Sequence, residues 1–449
     1  MKVESDRDEM TKDEGPNDEK RSTLSSTATF TSTSTSTSTY SSVTPLPGFE
    51  LWDRMKERRA PISFDLEVTA RCNNNCRHCY INLPAGDSEA KAGELSLAEI
   101  ERIAREAVSM GTMWCLVTGG EPLLREDFLE LYLMLKRMGL LVSVFTNACL
   151  VTQEHVELFR KFPPRDIEVT VYGATEATYE KVARRAGSFK AFERGLDRLL
   201  SGDVKVRLKA MALRSNVHEL DEIAGFCRAR TRDYYRFDPL LHLRFDGDPV
   251  RNAEIKAERL SPEEIVAVER ADTERFGALQ KGCNELILPE QEHAGCDHLF
   301  HCGAGIGSFS VSYDGKFRLC SSLWHPDTVY DLRRGTLHDA WNRHVPRVRD
   351  LRSNRKEFLE RCRVCPIINL CLWCPAHAHL ETGEMDTVID YFCQVAHARA
   401  AALGHWEKAE AKAKVKAEVK AKVEKKRGQN AQGLRLTSDG VMAGGTVVC

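Results

Sequence analysis

The chain has 449 residues, with 64 Lys and Arg against 66 Asp and Glu and a net charge of -2, so its overall electrostatics give no case for a nucleic-acid partner. No apolar run reaches the length of a membrane span, and the stretch from Lys2 to Arg21 is charged and lacks the apolar core of a secretory signal. A cytoplasmic location is expected, and in that reducing compartment the 16 cysteines read as metal or redox ligands rather than disulfide partners.

The length is enough for more than one domain. Residues 1–48 mix both charges and then run through a Thr-Ser repeat from Thr31 to Thr39, burying too little apolar area to offset ordering entropy. They are expected to form a disordered leader. Residues 49–249 follow a different pattern, alternating strand-like and helix-like segments six times. The strands are expected at Phe64–Ala70, Met113–Thr118, Leu140–Thr146, Asp166–Tyr172, Val204–Leu213 and Tyr234–Leu243. Ser96-Leu97-Ala98-Glu99 has the form of a capping box, as does Asn216-Val217-His218-Glu219, and Ile100, Ile103, Ala104 and Ala107 share one helical face. Repeated β-then-α units imply a parallel sheet with right-handed crossovers. Six of them predict an α/β fold, a partial (β/α)6 TIM-like barrel with its chemistry at the carboxyl ends of the strands.

The polar motifs fall at that end. After strand one comes Cys72-Asn73-Asn74-Asn75-Cys76-Arg77-His78-Cys79, a C-x3-C-x2-C loop of soft thiolate ligands suited to an iron–sulfur cluster, zinc or Cu(I). Three cysteines on one loop suggest a cubane with one open iron; a zinc loop with its fourth ligand elsewhere is the alternative. Gly119-Gly120-Glu121-Pro122 follows strand two, offering close backbone approach to a ligand and one acceptor. Asn147 ends strand three, Thr170 and Tyr172 lie near the end of strand four, and Asn216 follows strand five.

From 250 to 294 the rhythm stops, and Ser261-Pro262-Glu263-Glu264 opens a helix in what reads as a bridging helical segment. Residues 295–400 hold eight cysteines: Cys296, Cys302, Cys320, Cys362, Cys365, Cys371, Cys374 and Cys393, enough for two four-thiolate sites of zinc or iron–sulfur. Asp314-Gly315 between alternating segments signals a hairpin ending at Cys320. A small cysteine-rich α+β domain is expected here, then a charged helix over 401–427 and a disordered tail over 428–449. Cys115 and Cys227 read as small buried residues and Cys149 as a loop cysteine, with Cys283 and Cys449 also left over. His377 and His379, two apart, cannot share a helical face, so no joint metal site is expected of them.

Cys72, Cys76 and Cys79, then Gly-Gly-Glu-Pro, Thr-Asn and Gly187-Ser188-Phe189 resemble, in order and spacing, the core of the radical SAM superfamily. The C-terminal order C-x12-G-x4-C, C-x2-C-x5-C, C, C resembles its SPASM extension, with two residues between Cys371 and Cys374 where three are usual. The resemblance implies a reducing [4Fe–4S] cluster on Cys72, Cys76 and Cys79, with S-adenosylmethionine chelating the open iron. Gly119, Gly120 and Glu121 would line its methionyl amino group, His78 would lie by the adenine, and Asn147, Thr170 and Asn216 would contact ribose and carboxylate. Tyr172 stands where many relatives carry Asp and receives no role. One auxiliary cluster would take Cys296, Cys302, Cys320 and Cys374, and a second Cys362, Cys365, Cys371 and Cys393, giving three clusters. The implied reaction is reductive cleavage of S-adenosylmethionine to a 5′-deoxyadenosyl radical that abstracts a hydrogen atom from substrate. The implied donor is a ferredoxin or flavodoxin, and the implied substrate a ribosomally made peptide, bound with a separate leader-binding protein. Ser321 stands where the sulfatase-maturing subgroup carries an Asp base, which argues against that activity. A small molecule or cofactor precursor is the alternative substrate, and a zinc-binding scaffold without chemistry the remote one.

Overall fold

The computed structural model describes residues 57–404 apart from 234, 287–295 and 372, with backbone alone at 282–286 and 369. The expected leader over 1–48, the tail beyond 404 and the side chain of Cys283 lie outside the described residues.

Six parallel strands run in sequence order across the sheet: β1 (Ser63–Thr69), β2 (Trp114–Gly119), β3 (Leu141–Thr146), β4 (Asp166–Val171), β5 (Val206–Met211) and β6 (Arg236–Asp238). Side chains alternate along each strand. On β1, Phe64, Leu66 and Val68 are buried against the outer layer, while Asp65, Glu67 and Thr69 take the opposite face. The connecting helices include α1 (Leu97–Ser109), α2 (Phe128–Arg137), α3 (Gln153–Lys161), α4 (Glu176–Ala183), α5 (Ser188–Ser201) and α6 (Leu220–Arg230). Helix α1 carries the Ser96–Glu99 capping box and buries Ile100, Ile103, Ala104 and Ala107, as its periodicity required. Three more helices follow, α7 (Pro249–Glu258), α8 (Pro262–Ala271) and α9 (Thr273–Leu286), with the Ser261 cap and Pro262 at the first position of α8. No described helix is long and apolar enough to cross a membrane.

Two local expectations fail for physical reasons. Strand six is three residues rather than ten, because its one neighbour ends at Met211 and Ala212–Leu213 turn away toward Asn216. Asn216 and Glu219 do not form a capping box. The Asn216 amide instead donates to Tyr172 O at 2.9 Å and Met211 O at 3.0 Å and accepts from Leu213 N at 2.8 Å, satisfying buried backbone where β4 and β5 end. The Glu219 carboxylate is drawn to the positive end of α4, accepting from Ala174 N, from the Thr175 amide and hydroxyl, and from the Thr178 hydroxyl.

The hairpin after the helical segment joins the barrel sheet instead of forming its own. Strand β7 (Ser308–Val311) pairs parallel to β1, from Ser63 opposite Ser308 to Leu66 opposite Val311. Strands β8 (Lys316–Arg318) and β9 (Tyr330–Asp331) continue antiparallel, making a sheet of nine strands among the described residues. Gly315, at φ +84°, closes the turn. Phe64 stacks on Phe309 at 5.3 Å, and Phe309 on Phe317 at 5.3 Å, so the seam is aromatic on its outer side. Its inner side is ionic: Arg318 and Glu67, both fully buried, pair at 2.5 Å, and the guanidinium lies 3.6 Å from the centre of the Trp324 ring.

Breaking one member of a buried pair strands the other. Arg318→Leu is therefore expected to lower stability by ~3–5 kcal/mol in urea unfolding, while Glu67→Met/Arg318→Leu recovers most of that loss.

Candidate active site

The cysteine loop is tied down at both ends and along its back. Arg71–Cys72 pairs with Leu83–Pro84, closing the loop at its root. The Arg71 guanidinium holds Glu94 at 2.7 Å and Ala85 O at 3.0 Å. Behind the loop, Asn75 N donates to Ala183 O at 2.9 Å, Arg77 N to Val182 O at 3.1 Å, and Arg185 Nε to Asn74 Oδ1 at 2.7 Å. Arg251 Nη2 reaches Cys76 O at 3.0 Å.

The Gly-Gly-Glu segment packs against this root. A Cβ on Gly119 would lie 2.2 Å from Thr69 O, and one on Gly120 would lie 2.3 Å from Arg71 O and 2.5 Å from Ala70 O. Gly119 also sits at φ +132°. The close approach these glycines permit is thus first to the chain's own backbone, where Gly120 N donates to Thr69 O at 2.7 Å and Glu121 N to Arg71 O at 2.9 Å. Glu121 is fully buried; it accepts from Thr146 Oγ1 and Asn147 N, both at 2.7 Å, and from Leu123 N at 3.1 Å. Burial pushes its carboxyl up to about 7, and those three hydrogen bonds hold it from rising further. Asn147 continues the chain of contacts, its Nδ2 donating to Asn73 Oδ1 at 2.8 Å and standing 3.7 Å from Cys72 Sγ.

One cavity of about 490 Å³ opens over these strand ends. Cys72, Cys76, Cys79, His78, Gly119, Gly120, Asn147 and Thr170 all line it. Glu121 and Asn216 do not: both are fully buried behind it, their polar atoms engaged within the chain. His78 is pushed down to about 4 by burial, with Lys209 and Arg251 adding to it, so the ring is neutral; it meets Tyr172 edge-on at 5.3 Å, and its buried Nδ1 has no hydrogen-bond partner among the described residues.

The opposite wall holds groups the sequence reading did not assign. Lys209 Nζ lies 2.5 Å from Glu168 and 4.4 Å from the centre of the Phe145 ring, and Arg236 Nη2 reaches Glu168 at 3.2 Å and its Nη1 Asp238 at 3.4 Å. Glu168, Lys209, Asp238 and His242 line the cavity. The signal was present: Asp166, Glu168 and Thr170, and likewise Arg207 and Lys209, recur at period two between apolar residues.

Burial raises the thiols of Cys72 and Cys76, the latter to about 12, and mutual repulsion within the loop adds to it. Thiols that resist ionising alone, as those of Cys72 and Cys76 do, fit a cationic group that makes thiolates of them. No three His, Cys, Asp or Glu side chains among the described residues are gathered tightly enough to hold a single metal ion. Thiolates lining one cavity can hold a multi-iron cluster, in which each binds a different iron, or a zinc ion.

The C-terminal cysteines fall into two groups. Cys362, Cys365, Cys371 and Cys393 line a second cavity of about 390 Å³, to which helix α11 (Asp390–Ala402) contributes Cys393. Cys374 caps helix α10 (Pro375–Thr382), accepting from His377 N at 3.4 Å. Burial pushes its thiol up to about 12, and repulsion from Cys320 and Cys302 adds, so both lie within electrostatic reach of it. Cys296, expected with them, meets His298 Nδ1 at 3.2 Å, and His298 Nε2 is 3.0 Å from Asp350. Cys115 and Cys227 are buried, and Cys149 lies near Asn74 and Ser188 O rather than on the cavity wall. His377 and His379 point to different partners, His242 and His325.

A carboxyl whose folded-state pKa is raised stabilises the fold below its unfolded value and loses that contribution as pH rises through the folded value. From its ordinary 4.5 to about 7, Glu121 is expected to make the cofactor-free chain less stable by ~1.4 kcal/mol per pH unit. Urea unfolding between those limits checks this, and Glu121→Gln is expected to flatten the slope.

Residues 66–227 match the family model described as the Radical SAM superfamily. An AdoMet-dependent heme synthase of Methanosarcina barkeri is 24% identical over 345 residues, covering 72% of this chain and 94% of the relative. The antilisterial bacteriocin subtilosin biosynthesis protein AlbA of Bacillus subtilis is 23% identical, covering 70% of this chain and 67% of its own. Among solved structures, Streptococcus suis SuiB bound to precursor peptide SuiA superposes with a TM-score of 0.58 at 16% identity, covering 76% of this chain and 78% of that one. The six parallel strands, the cysteine loop at their carboxyl ends and the matched stretch agree: residues 66–227 carry a radical SAM domain, the domain of enzymes that act through S-adenosylmethionine and an iron–sulfur cluster.

Proposed function

We propose that the chain cleaves S-adenosylmethionine reductively at a [4Fe–4S] cluster on Cys72, Cys76 and Cys79, and that the resulting hydrogen-atom abstraction modifies a ribosomally made peptide, forming a thioether or carbon–carbon link. The observation that carries the reading is the lining of one cavity by all three loop cysteines together with Gly119, Gly120 and Asn147. The cofactor supplies the radical chemistry; the chain supplies position and a dry site. Asn147 and the Asn74 amide direct hydrogen-bond donors at Cys72 Sγ, which tunes a thiolate ligand. Glu121 is a positioning residue: with its oxygens committed to Thr146, Asn147 and Leu123, it fixes Asn147 over the loop. Neutral His78 offers an aromatic face for an adenine, and Thr170 a hydroxyl for a sugar or carboxylate. Lys209, which lines the same cavity, is a further candidate for a carboxylate.

The second cavity, walled by Cys362, Cys365, Cys371 and Cys393, and the grouping of Cys302, Cys320 and Cys374 support two auxiliary clusters, for three in all. They serve as electron acceptors when a substrate radical is oxidised. A low-potential donor such as ferredoxin or flavodoxin reduces the first cluster.

The peptide reading draws on the subtilosin biosynthesis relative and on the SuiB structure, which contains a precursor peptide. The heme synthase relative, aligned along nearly its whole length, favours a second reading, oxidation of a tetrapyrrole-like cofactor precursor.

Reconstituted parent protein is expected to bind ~12 iron atoms and the Cys72/Cys76/Cys79→Ala variant ~8, by iron assay. A variant value near zero removes the auxiliary clusters from the reading. Gly120→Ala, which forces the cysteine loop's root outward, is expected to abolish 5′-deoxyadenosine formation from S-adenosylmethionine under reducing conditions. Mass spectrometry of any short peptide encoded beside this gene, incubated with enzyme, S-adenosylmethionine and reductant, is expected to show loss of hydrogen for each bond formed. An unchanged peptide alongside a porphyrin precursor that loses mass selects the second reading.

A further inference from the structure

His242 stands just past β6 and lines the cavity that holds the three loop cysteines. Its ring lies 4.1 Å from that of His377 on α10, centroid to centroid, and its Nδ1 is 3.3 Å from Ser322 Oγ. Ser322 follows Cys320 by two residues, and His377 follows Cys374 by three. His242 is therefore one side chain removed from two of the loops that gather Cys302, Cys320 and Cys374, on the side facing the cavity. The loop after β8 reads Cys320-Ser321-Ser322-Leu323 and offers no carboxylate to receive a proton.

The titratable and charged groups around His242 are His377 and Arg259 on the protein side, and His78, Glu168, Lys209 and Asp238 across the cavity. Burial, then His377 and Arg259, push His242 down to about 3, so in the cofactor-free chain the ring is a neutral acceptor. The negative charge of cluster thiolates opposes that depression, and an added electron opposes it further.

We propose that His242 takes up a proton when the auxiliary centre at Cys302, Cys320 and Cys374 takes up an electron, so that both particles released by substrate oxidation have a receiver at one wall of the cavity. The inference rests on the reading that these cysteines hold an iron–sulfur cluster. In the step concerned, the substrate carbon has already lost a hydrogen atom to the 5′-deoxyadenosyl radical. The carbon radical then forms a bond to a neighbouring heteroatom that carries hydrogen; one electron passes to the oxidised cluster, and the heteroatom's proton passes to the His242 ring. The cluster ends reduced by one electron and His242 protonated.

The test needs no substrate. In the reconstituted Cys72/Cys76/Cys79→Ala chain, redox titration followed by electron paramagnetic resonance reads the auxiliary potentials from about pH 6 to 9. One centre is expected to become harder to reduce as pH rises, by up to tenfold per unit in the reduction equilibrium, or ~59 mV. Adding His242→Gln is expected to remove that slope with iron content and resonance line shape unchanged. A pH-independent potential in the triple variant, or a slope that survives His242→Gln, overturns the proposal. If His242→Gln loses iron, Ser322→Ala, which removes only the Nδ1 partner, must displace the pH at which the slope begins; no displacement overturns it too. Absence of any reducible centre overturns the cluster reading itself, and the proposal with it.

Discussion

The whole site depends on how closely the ends of β1 and β2 approach each other. Gly119 and Gly120 let the chain leaving β2 lie against Thr69, Ala70 and Arg71, at distances that leave no room for a side chain. That contact places Glu121 beneath β3, where it collects Thr146 and Asn147, and Asn147 in turn stands over Cys72. Three strand ends are thereby joined through one buried carboxylate. A motif whose expected task was to touch a ligand is first a backbone clamp, and its glycines face the cavity as a consequence of where the clamp lies.

The interior of this barrel is polar, which sets it apart from a barrel filled with aliphatic layers. Glu67 with Arg318 on one side, and Glu168 with Lys209 and Arg236 on the other, take charges out of water inside the sheet. Such pairs add little net stability compared with well-packed apolar residues, and they persist only while each charge keeps its partner. Their arrangement keeps the cavity wall fixed and polar, the environment a charged cofactor and a radical intermediate require.

The hairpin ties the two halves of the chemistry into one rigid frame. Strand β7 extends the barrel sheet from β1, and Arg318, two residues before Cys320, reaches back to Glu67, five residues before Cys72. Cys320, at the end of the hairpin, is therefore set relative to the cysteine loop by a continuous sheet rather than by a linker, so the span between them is fixed by strand geometry.

Much of this was legible in the residues alone. The period-two apolar runs and the Ser96 and Ser261 caps specify local structure through contacts a few residues long, so the strands, helices and the polar ends of the strands follow from the chain itself. Cysteine spacing likewise puts Cys72, Cys76 and Cys79 on one loop, and all three line one cavity. What the chain alone left open depends on partners distant in sequence. The joining of β7 to β1, the diversion of Asn216 and Glu219 from a cap to the ends of β4 and α4, the commitment of Glu121 to Asn147, and the meeting of His242 with His377 each satisfy a buried polar or apolar surface supplied from another part of the fold. Local sequence determines which element forms; only the packed structure decides which unsatisfied group it finds there.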